Sequence, residues 1–515
     1  MKRIVQFFSC LVFLISYSSA SFAVQQTKLV EPACFQSDQG SIAYKGLAYF
    51  CSDREGYGQE VHVSDGSEFG TRILKDIDPG PGSSSPFGFF EYKGALFFIA
   101  ETTATGTALW KTDGTEKGTV LVKTLYQDSI NDNLIRFLVA GETSQGLYFE
   151  ISTRTELNGQ LFQVDSNSLD VSEIEGVAIV DGVYEETTYT VFNDELFIMT
   201  YSVLYRLSAS GIVSEIGSFP NNLFEVFAYI SPHHTEDNGF WISGPPVGDD
   251  SNTLWFSDGT ADGTVPYFDK GNWVTLYDEI DGKLIYRGDS GVNKLYSSAD
   301  GVNENLLIEL DDNFAILQHN RYDLRFNGSV VLRVDDYDSA DSFAIISDGT
   351  VQGTIQLPFT TRRANDLLTF NGQFFGYDDD GIWLSDGTIE GSREVFAGNG
   401  VRIVEIIGVT TEAAYILTFN FDSSENEIWK LNLNNQLVKI ASGIFYRGGS
   451  FTEGQRLFVS RQNLQHLWHT DGTSQGTYTL KYIFDDGLPE PEPIDFNMVP
   501  LIFMLLDEEE QKIQK

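Results

Sequence analysis

One seven-residue pattern recurs along this chain and restricts its fold more than any other feature. Each copy reads Asp-Gly, then Ser or Thr, two variable residues, Gly, and finally Thr or Ser. The six copies begin at Asp65, Asp113, Asp258, Asp348, Asp386 and Asp471. Self-similarity of this kind indicates a repeat architecture, in which each unit buries its apolar face against its neighbours.

A column of aromatic residues accompanies the pattern. Trp stands three residues before the Asp in four copies, and the same position is held elsewhere by other mostly aromatic residues. The full column is His62, Trp110, Phe162, Tyr205, Trp255, Tyr296, Ile345, Trp383, Trp429 and Trp468. Its mean spacing is about 45 residues, a length typical of repeat units. We expect its five Trp side chains to pack between adjacent units rather than to stack on sugars or bases.

A two-residue turn signal followed by an apolar strand lies about sixteen residues before most positions of the column. The ten signals are Lys45-Gly46, Lys93-Gly94, Gln145-Gly146, Asn193-Asp194, Asn238-Gly239, Asp281-Gly282, Asn327-Gly328, Asn371-Gly372, Glu412-Ala413 and Glu453-Gly454. Asn-Gly and Asp-Gly suit a type I′ hairpin, because both central residues need positive φ. Each unit is therefore predicted to hold four short strands, for example 72–77, 87–92, 95–100 and 108–112.

Four short antiparallel strands in a unit of this length are typical of a β-propeller blade. If the first strand of each unit follows the DGT turn, the chain begins in a second strand (40–44) and ends in a first strand (477–483). The C-terminal strand would then complete the N-terminal blade and remove the exposed sheet edges. The sequence thus predicts an all-β propeller of about ten four-stranded repeats over residues 24–484. One closed ring fits this phase better than the alternative of two five-bladed rings.

The segment Ala108-Leu-Trp-Lys-Thr-Asp-Gly-Thr115, with Gly118-Thr119 and Leu121-Val-Lys123 after it, resembles the bacterial ELWxxDGT repeat family. The segment from Arg72 to Gly80 resembles the continuation of the family's repeat after the turn. The resemblance covers almost all of the chain beyond residue 23. It implies a secreted, propeller-like repeat protein of bacteria, described as hyalin-like, and no defined catalytic residues.

Both ends of the chain depart from the repeat. Lys2 and Arg3, an apolar stretch and the small residues near Ala23 predict a signal peptide over 1–23, and hence a secreted or periplasmic protein. Cys10 would leave with it, so Cys34 and Cys51 are predicted to form one disulfide. Residues 485–515 form a Pro/Glu-rich tail with a short apolar run, read either as an export or docking signal or as a loosely ordered end.

The charge balance excludes whole classes of partner. The chain has 33 Lys and Arg against 74 Asp and Glu, a formal net charge of -41. It therefore lacks the basic surface that would neutralise phosphates, which argues against nucleic acid and against anionic membranes. The apolar run of the tail is too short to span a bilayer.

The acidic residues fall into two groups with different expected roles. The Asp that opens each DGT turn is predicted to cap backbone N–H groups, with the alternative that these residues are metal ligands or catalytic acids. The irregular loops are the better candidates for recognition, above all Asp335, Asp336, Asp338 and Asp341. Asp378, Asp379 and Asp380 are oxygen-rich enough to be calcium candidates. His233 and His234 are a weaker metal candidate, since adjacent residues on a strand point to opposite faces.

The sequence therefore predicts an exported, non-enzymatic propeller that acts as a binding or cell-surface scaffold. Its partner would be a protein or a glycan, and the protein itself would be a monomer. No cofactor is expected, and calcium is the one metal for which the sequence offers candidate ligands. The alternative is a carbohydrate-active propeller enzyme, a glycoside hydrolase or lyase. That alternative requires a non-periodic group of carboxylates converging in one pocket.

Overall fold

Alternating apolar positions and tight turns fold the described part of this chain into β-strands. The computed structural model describes residues 41–480 except 55, 68–69, 128–133, 154–157, 181–186, 201–202, 220–228, 237–238, 245–252, 268–273, 289–291, 317–323, 337–341, 361–367, 378–380, 398–400, 444–449, 454–455, 460–466 and 476. The predicted signal peptide and C-terminal tail lie outside the described residues. The described part is all-β, and its strands form ten sheets, nine with four strands and one with five.

The chain divides into two compact units, the first holding residues 30–132 and 404–515. Its sheets are numbered in chain order. They are sheet 1 with β1 (Ser41–Tyr44), β2 (Leu47–Arg54), β3 (Gly58–Ser64) and β4 (Arg72–Lys75); sheet 2 with β5 (Phe87–Tyr92), β6 (Ala95–Thr102), β7 (Gly106–Thr112) and β8 (Val120–Tyr126); sheet 9 with β34 (Val401–Val409), β35 (Ala413–Asn420), β36 (Glu425–Asn432) and β37 (Leu437–Gly443); and sheet 10 with β38 (Ser450–Glu453), β39 (Arg456–Val459), β40 (Leu467–Thr470) and β41 (Tyr478–Leu480).

The second unit, residues 133–403, holds the other six sheets. They are sheet 3 with β9 (Leu134–Thr143), β10 (Gly146–Thr153), β11 (Asn158–Asp165) and β12 (Val171–Val180); sheet 4 with β13 (Thr188–Phe192), β14 (Glu195–Thr200), β15 (Val203–Leu207) and β16 (Val213–Ser218); sheet 5 with β17 (Tyr229–Glu236), β18 (Gly239–Gly244), β19 (Thr253–Ser257) and β20 (Val265–Pro266); sheet 6 with β21 (Thr275–Ile280), β22 (Lys283–Arg287), β23 (Lys294–Ser298) and β24 (Asn305–Glu309); sheet 7 with β25 (Phe314–Ile316), β26 (Leu324–Phe326), β27 (Ser329–Asp336), β28 (Ser342–Ser347) and β29 (Ile355–Thr360); and sheet 8 with β30 (Leu368–Phe370), β31 (Gln373–Tyr377), β32 (Gly381–Ser385) and β33 (Arg393–Ala397).

The predicted hairpins are confirmed at six of the ten signals. In these turns both central residues have positive φ, as at Lys45 (48°) and Gly46 (80°), which is the type I′ geometry. Two further turns are displaced along the chain from the predicted pairs, and they occupy 144–145 and 410–412. In the first of them Gly146 already pairs with Thr143, so this glycine is a strand residue. The signals Asn238-Gly239 and Glu453-Gly454 fall partly outside the described residues.

The predicted phase of the four strands was wrong. The strand after the first DGT turn, β4, pairs with β3 through Val63↔Arg72 and His62↔Ile73, so the turn lies inside one sheet. The last sheet is likewise built from one continuous stretch, Ser450–Leu480, and does not lend a strand to sheet 1. The physical reason is that the DGT turn is tight enough to reverse the chain, as a hairpin does.

Each sheet consequently has two unlike ends. The hairpin between strands one and two and the turn between strands three and four lie at one end, which we call the turn end. The loop between strands two and three and the connection to the next sheet lie at the other, which we call the loop end. This follows from the meander order of the strands.

The core lies between neighbouring sheets, because the middle strands are buried on both faces. Six consecutive residues of β6 are buried, which explains its uninterrupted apolar run. One cluster joins Tyr49 and Val63 of sheet 1 to Phe98 and Trp110 of sheet 2. Within the first unit, β1 contacts both β5 and β38, so sheet 1 lies beside sheets 2 and 10.

Candidate functional site

The carboxylate of each DGT turn is used by the turn itself. In the second copy, Oδ1 of Asp113 accepts hydrogen bonds from the backbone N (2.9 Å) and the hydroxyl (2.7 Å) of Thr115. The hydroxyl of Thr115 in turn accepts the backbone N–H of Gly118 at 2.9 Å. All six copies share the two bonds to the Asp. The role as an N–H cap was predicted, and this geometry supports it over a catalytic or metal-binding role.

These hydrogen bonds stabilise the ionised form of the acid. Those from Thr115 hold the pKa of Asp113 below its ordinary value, and those from Thr388 do the same for Asp386. A variant form of the turn serves sheet 6, where the backbone N–H groups of Asn303 and Val302 lower the pKa of Asp300 to about 2. Asp113, Asp386 and Asp300 are therefore fixed anions, unsuited to donating a proton near neutral pH.

A hydroxyl residue before each Asp completes the turn, and the sequence reasoning missed it. Thr112 accepts the N–H of Gly114 at 3.0 Å, and its hydroxyl lies 2.8 Å from that of Thr119. The equivalent residues are Ser64, Ser257, Ser347, Ser385 and Thr470. The signal was present in the sequence, because Ser or Thr precedes the Asp in every copy.

Both glycines of the turn are needed because other groups approach them closely. A Cβ on Gly118 would lie 2.0 Å from Oδ1 of Asp113, and four other copies give the same contact. The first glycine, Gly114, has φ of 100° and faces the hydroxyl of Tyr49 on β2 of the preceding sheet. The turn therefore also sets how one sheet sits on the next.

The Trp side chains of the column lie mostly between sheets. Trp110 and Trp255 are buried, and Trp255 packs with Phe197 and Met199 of the preceding sheet. Trp383 is half-buried against a cluster shared by sheets 7 and 8. Trp429 is also half-buried, and its Nε1 donates to Thr418 (3.1 Å) and Glu427 (3.0 Å).

Among the described residues, none of the three remaining tryptophans, Trp241, Trp273 and Trp468, presents an exposed ring on which a ligand could stack. The Trp468 side chain and all of Trp273 lie outside the described residues. Trp241, outside the column, is buried and donates to Glu279 at 2.7 Å. The packing role predicted for the five Trp residues of the column stays a prediction.

The predicted recognition loop is described only at its start. Asp335 and Asp336 end β27, whereas Asp338 and Asp341 lie outside the described residues. Asp335 pairs with Arg333, and Asp336 accepts a hydrogen bond of 3.0 Å from Asn313. Both carboxylates are thus held in place at the loop end of sheet 7.

The predicted metal ligands are not assembled in the described part of the chain. There, no three His, Cys, Asp or Glu side chains come together as a cation site would require. The calcium candidates Asp378, Asp379 and Asp380 are not among the described residues, so that site stays a prediction. His233 and His234 fall in a bulge of β17, where the register skips from Ile230 to Thr235. The predicted Cys34–Cys51 disulfide also stays a prediction, since Cys34 is not described and Cys51 is buried on β2.

A non-periodic cluster joins sheets 6 and 7, and nothing in the sequence announced it. The first strand of sheet 7 is split, because β25 pairs with the far half of β27 and β26 with the near half. Arg325 of β26 donates to Asp278 of β21 through Nε (3.1 Å) and Nη2 (2.8 Å). The carbonyl of Ile316 accepts from the Tyr277 hydroxyl (2.8 Å) and from Arg287 (2.9 Å).

Burial dominates the electrostatics of this cluster. The Asp278 side chain is 5% exposed, and that of Arg325 is 54% exposed. Burial raises the pKa of Asp278, and the hydrogen bonds and charge of Arg325 offset part of that rise. The cluster clamps the split strand onto sheet 6, which is a structural role.

Comparisons with known proteins find similar solved structures but no matching family. No family model and no curated protein matches the chain. Among solved structures, it is similar to a prolyl endopeptidase (11% identity, TM-score 0.38, 75% of this chain and 54% of that one). It is also similar to dipeptidyl peptidase 4 of Porphyromonas gingivalis (10%, 0.38, 76% and 57%). A third match is oligogalacturonate lyase of Vibrio parahaemolyticus (8%, 0.25, 59% and 86%).

The chain thus spans about half the length of the two peptidases it matches. All three TM-scores are below 0.5. The fold is defined by the strand pairing within its ten described sheets. In the described residues, no helix has the length and hydropathy of a membrane span.

Replacing Gly118 with Ala tests the role of the second glycine. The new Cβ would displace the Asp113 carboxylate from the turn, and we expect a loss of about 1–3 kcal/mol in the free energy of unfolding. Denaturant unfolding followed by circular dichroism measures it. Lys117→Ala, an exposed change in the same turn, is the matched control and should be near neutral. Equal stabilities of the two variants would contradict the close approach.

Replacing Arg325 with Met tests the clamp. We expect the free energy of unfolding to fall by about 1–3 kcal/mol at pH 7. This is less than for a fully buried pair, because half of the Arg325 side chain is exposed. The pKa of Asp278 is higher in the folded state than in the unfolded state. Asp278 therefore favours the folded state most at pH values below its unfolded pKa, and this contribution falls as pH rises. Removing Arg325 raises the folded-state pKa of Asp278 further.

The difference between wild type and Arg325→Met should therefore grow from pH 4 to pH 7. Urea unfolding at several pH values measures this difference. Arg393→Met, which removes an exposed Arg on β33, should give a small and constant difference. A constant difference for Arg325→Met would show that Asp278 does not titrate as argued.

Proposed function

We propose that this protein is an exported, non-enzymatic scaffold that binds a protein or glycan through its loop ends. The observation that carries the proposal is the contrast between the two ends of the sheets. At the turn end, six turns share one hydrogen-bonded design. At the loop end, the loop between strands two and three ranges from two residues (201–202) to eight (245–252). Variable loops on a rigid framework are the usual site of recognition.

The candidate contact is the loop end of sheet 7. Asp335 and Asp336 are held by Arg333 and Asn313, so they present carboxylates whose positions are set before any partner arrives. Such preorganisation reduces the entropy lost on binding. A partner that donates hydrogen bonds, such as a glycan or a basic protein surface, suits this edge. The export signal and the contribution of calcium are part of the same proposal.

We also propose that the ten sheets close as one propeller ring of the kind expected for ELWxxDGT repeats. The contact between β1 and β38 in the first unit supports it, since these strands belong to the first and last sheets. Closure by packing, without strand exchange, fits sheets that are each complete. Closure leaves no sheet face at the end of the array to be capped.

Electron microscopy of the purified mature chain tests the ring. We expect two-dimensional class averages to show a closed disc with about ten blades, because each sheet forms one blade. Averages that show an open arc, or two separate smaller rings, would contradict closure.

Glycan-array and protein-array binding of the mature chain tests the scaffold. We expect binding that is weakened about tenfold or more by Asp335→Asn with Asp336→Asn, because each buried or charged hydrogen bond lost costs about 1.5 kcal/mol or more. Asp281→Asn, in a hairpin at the turn end, is the matched control and should bind as wild type. Repeating the array with a chelator measures the contribution of calcium.

Three outcomes would contradict the proposal. The first is an array without binding, and the second is binding lost only through turn-end changes in folded protein. The third is cleavage of bound glycans, detected by mass spectrometry of the array glycans in solution. That last result would favour the carbohydrate-active enzyme instead.

A further inference from the structure

Glu60 is a fully buried acid at the loop end of sheet 1. It stands near the start of β3, two residues before His62. Its carboxylate accepts hydrogen bonds from the backbone N of Ile77 (2.9 Å), the backbone N of Asp78 (3.1 Å) and the hydroxyl of Ser84 (2.6 Å). A buried carboxylate that accepts three hydrogen bonds holds in place the chain segment to which the three donor groups belong.

All three donors belong to the connection 76–86 between sheets 1 and 2. The same connection is tied to β3 again, because the carbonyl of Gln59 accepts the backbone N–H groups of Ser84 (2.8 Å) and Ser85 (3.1 Å). Its other side is tied to sheet 2, because the carbonyl of Ser84 accepts the N–H of Glu101 at 2.8 Å. Glu60 is therefore the central side chain that holds this connection against the sheets of the first unit.

The charged neighbours of Glu60 do not neutralise it. The Asp76 carboxylate acts on it from the connection, and Glu101 lies across Ser84 on sheet 2. Asp78 approaches Glu60 through its backbone N, while its carboxylate accepts from Thr103. His62, on the same strand, uses Nδ1 to contact the Glu60 backbone carbonyl at 2.9 Å. Lys75, at the end of β4, directs its ammonium to the carbonyl of Thr119 at 2.8 Å.

This environment favours the neutral acid. Burial raises the pKa of Glu60 to about 7, the hydrogen bonds from Ser84, Ile77 and Asp78 offset part of that effect, and the Asp76 carboxylate adds to the rise. Once the connection opens and water reaches the carboxyl group, its pKa returns to the ordinary value near 4.5. The open and closed states therefore differ in proton affinity over the range between these values.

We propose that Glu60 is a pH-sensitive latch, which keeps the connection 76–86 closed while it is protonated and loosens it on ionisation. The sign follows from linkage: between about pH 4.5 and 7 the closed state holds a proton that the open state has lost, so rising pH favours opening. The opening constant rises by up to tenfold per pH unit in this range and becomes constant above it.

The latch gives the loop end of sheets 1 and 2 a mobility that depends on acidity. The connection lies at the same end as the loops between strands two and three. A partner that requires this connection to move would gain access as the medium passes from acidic to neutral. The inference stands on the geometry of Glu60 and does not require the proposed binding function.

Amide hydrogen exchange of the full mature chain between pH 5 and 8 tests the latch. Protection of a peptide covering 74–86, corrected for intrinsic exchange rates, should fall by up to tenfold per pH unit up to about pH 7 and then level off. The connection 310–313 between sheets 6 and 7 serves as the internal reference and should show no such slope. Equal slopes in the two connections would overturn the proposal, as would a flat profile in 74–86.

Two variants separate titration of Glu60 from other causes. Glu60→Gln should abolish the pH slope in 74–86, because the amide does not titrate. Glu427→Gln is the matched control: Glu427 has the equivalent position on β36, two residues before Trp429, where it pairs with Lys439 at 3.1 Å. It should leave the slope unchanged. A slope that persists in folded Glu60→Gln would assign the effect to another group and overturn the latch, and the wild-type comparison decides the matter if that variant does not fold.

Discussion

The hydrogen bonds from the hydroxyl and backbone of the third turn residue to the Asp carboxylate are the interaction on which the rest of this structure depends. They close the reversal between strands three and four, so the fourth strand can pair. They also fix the preceding glycine, which contacts the second strand of the sheet before it, as Gly114 does with Tyr49, Gly259 with Phe197 and Gly472 with Tyr415. One local motif thus sets both the completion of a sheet and its packing on the next.

Much of this fold could be predicted from sequence because its determinants are local. The hairpins at Lys45-Gly46 and Asn371-Gly372 follow from backbone preferences, and the strands follow from apolar runs. The phase of the strands could not be predicted, because a turn signal shows where the chain bends and not which strands pair across it. The Asp278–Arg325 contact was equally hidden, since the two residues are 47 positions apart and neither belongs to the repeat.

Three of the buried acids in this strongly anionic chain are accommodated in different ways. Glu60 is surrounded by neutral donors, Asp278 by a guanidinium, and Glu427 by the Lys439 ammonium and the Trp429 indole. Neutral donors stabilise a buried carboxylate less than a counter-charge does. Glu60 can therefore take up a proton near neutral pH. The repeated turns, by contrast, place their carboxylates at the surface. The acids in unusual environments therefore lie outside the repeated turns, at buried positions of individual sheets.

Because every described sheet is made from one continuous stretch of chain, none of its hydrogen-bond ladders waits for a distant segment to be synthesised. Each sheet can form soon after its own residues leave the ribosome, and contacts of low sequence separation form quickly. The same independence bears on ancestry. Gene duplication or loss of one unit of about 45 residues would add or remove a whole sheet without breaking a strand pair in any other.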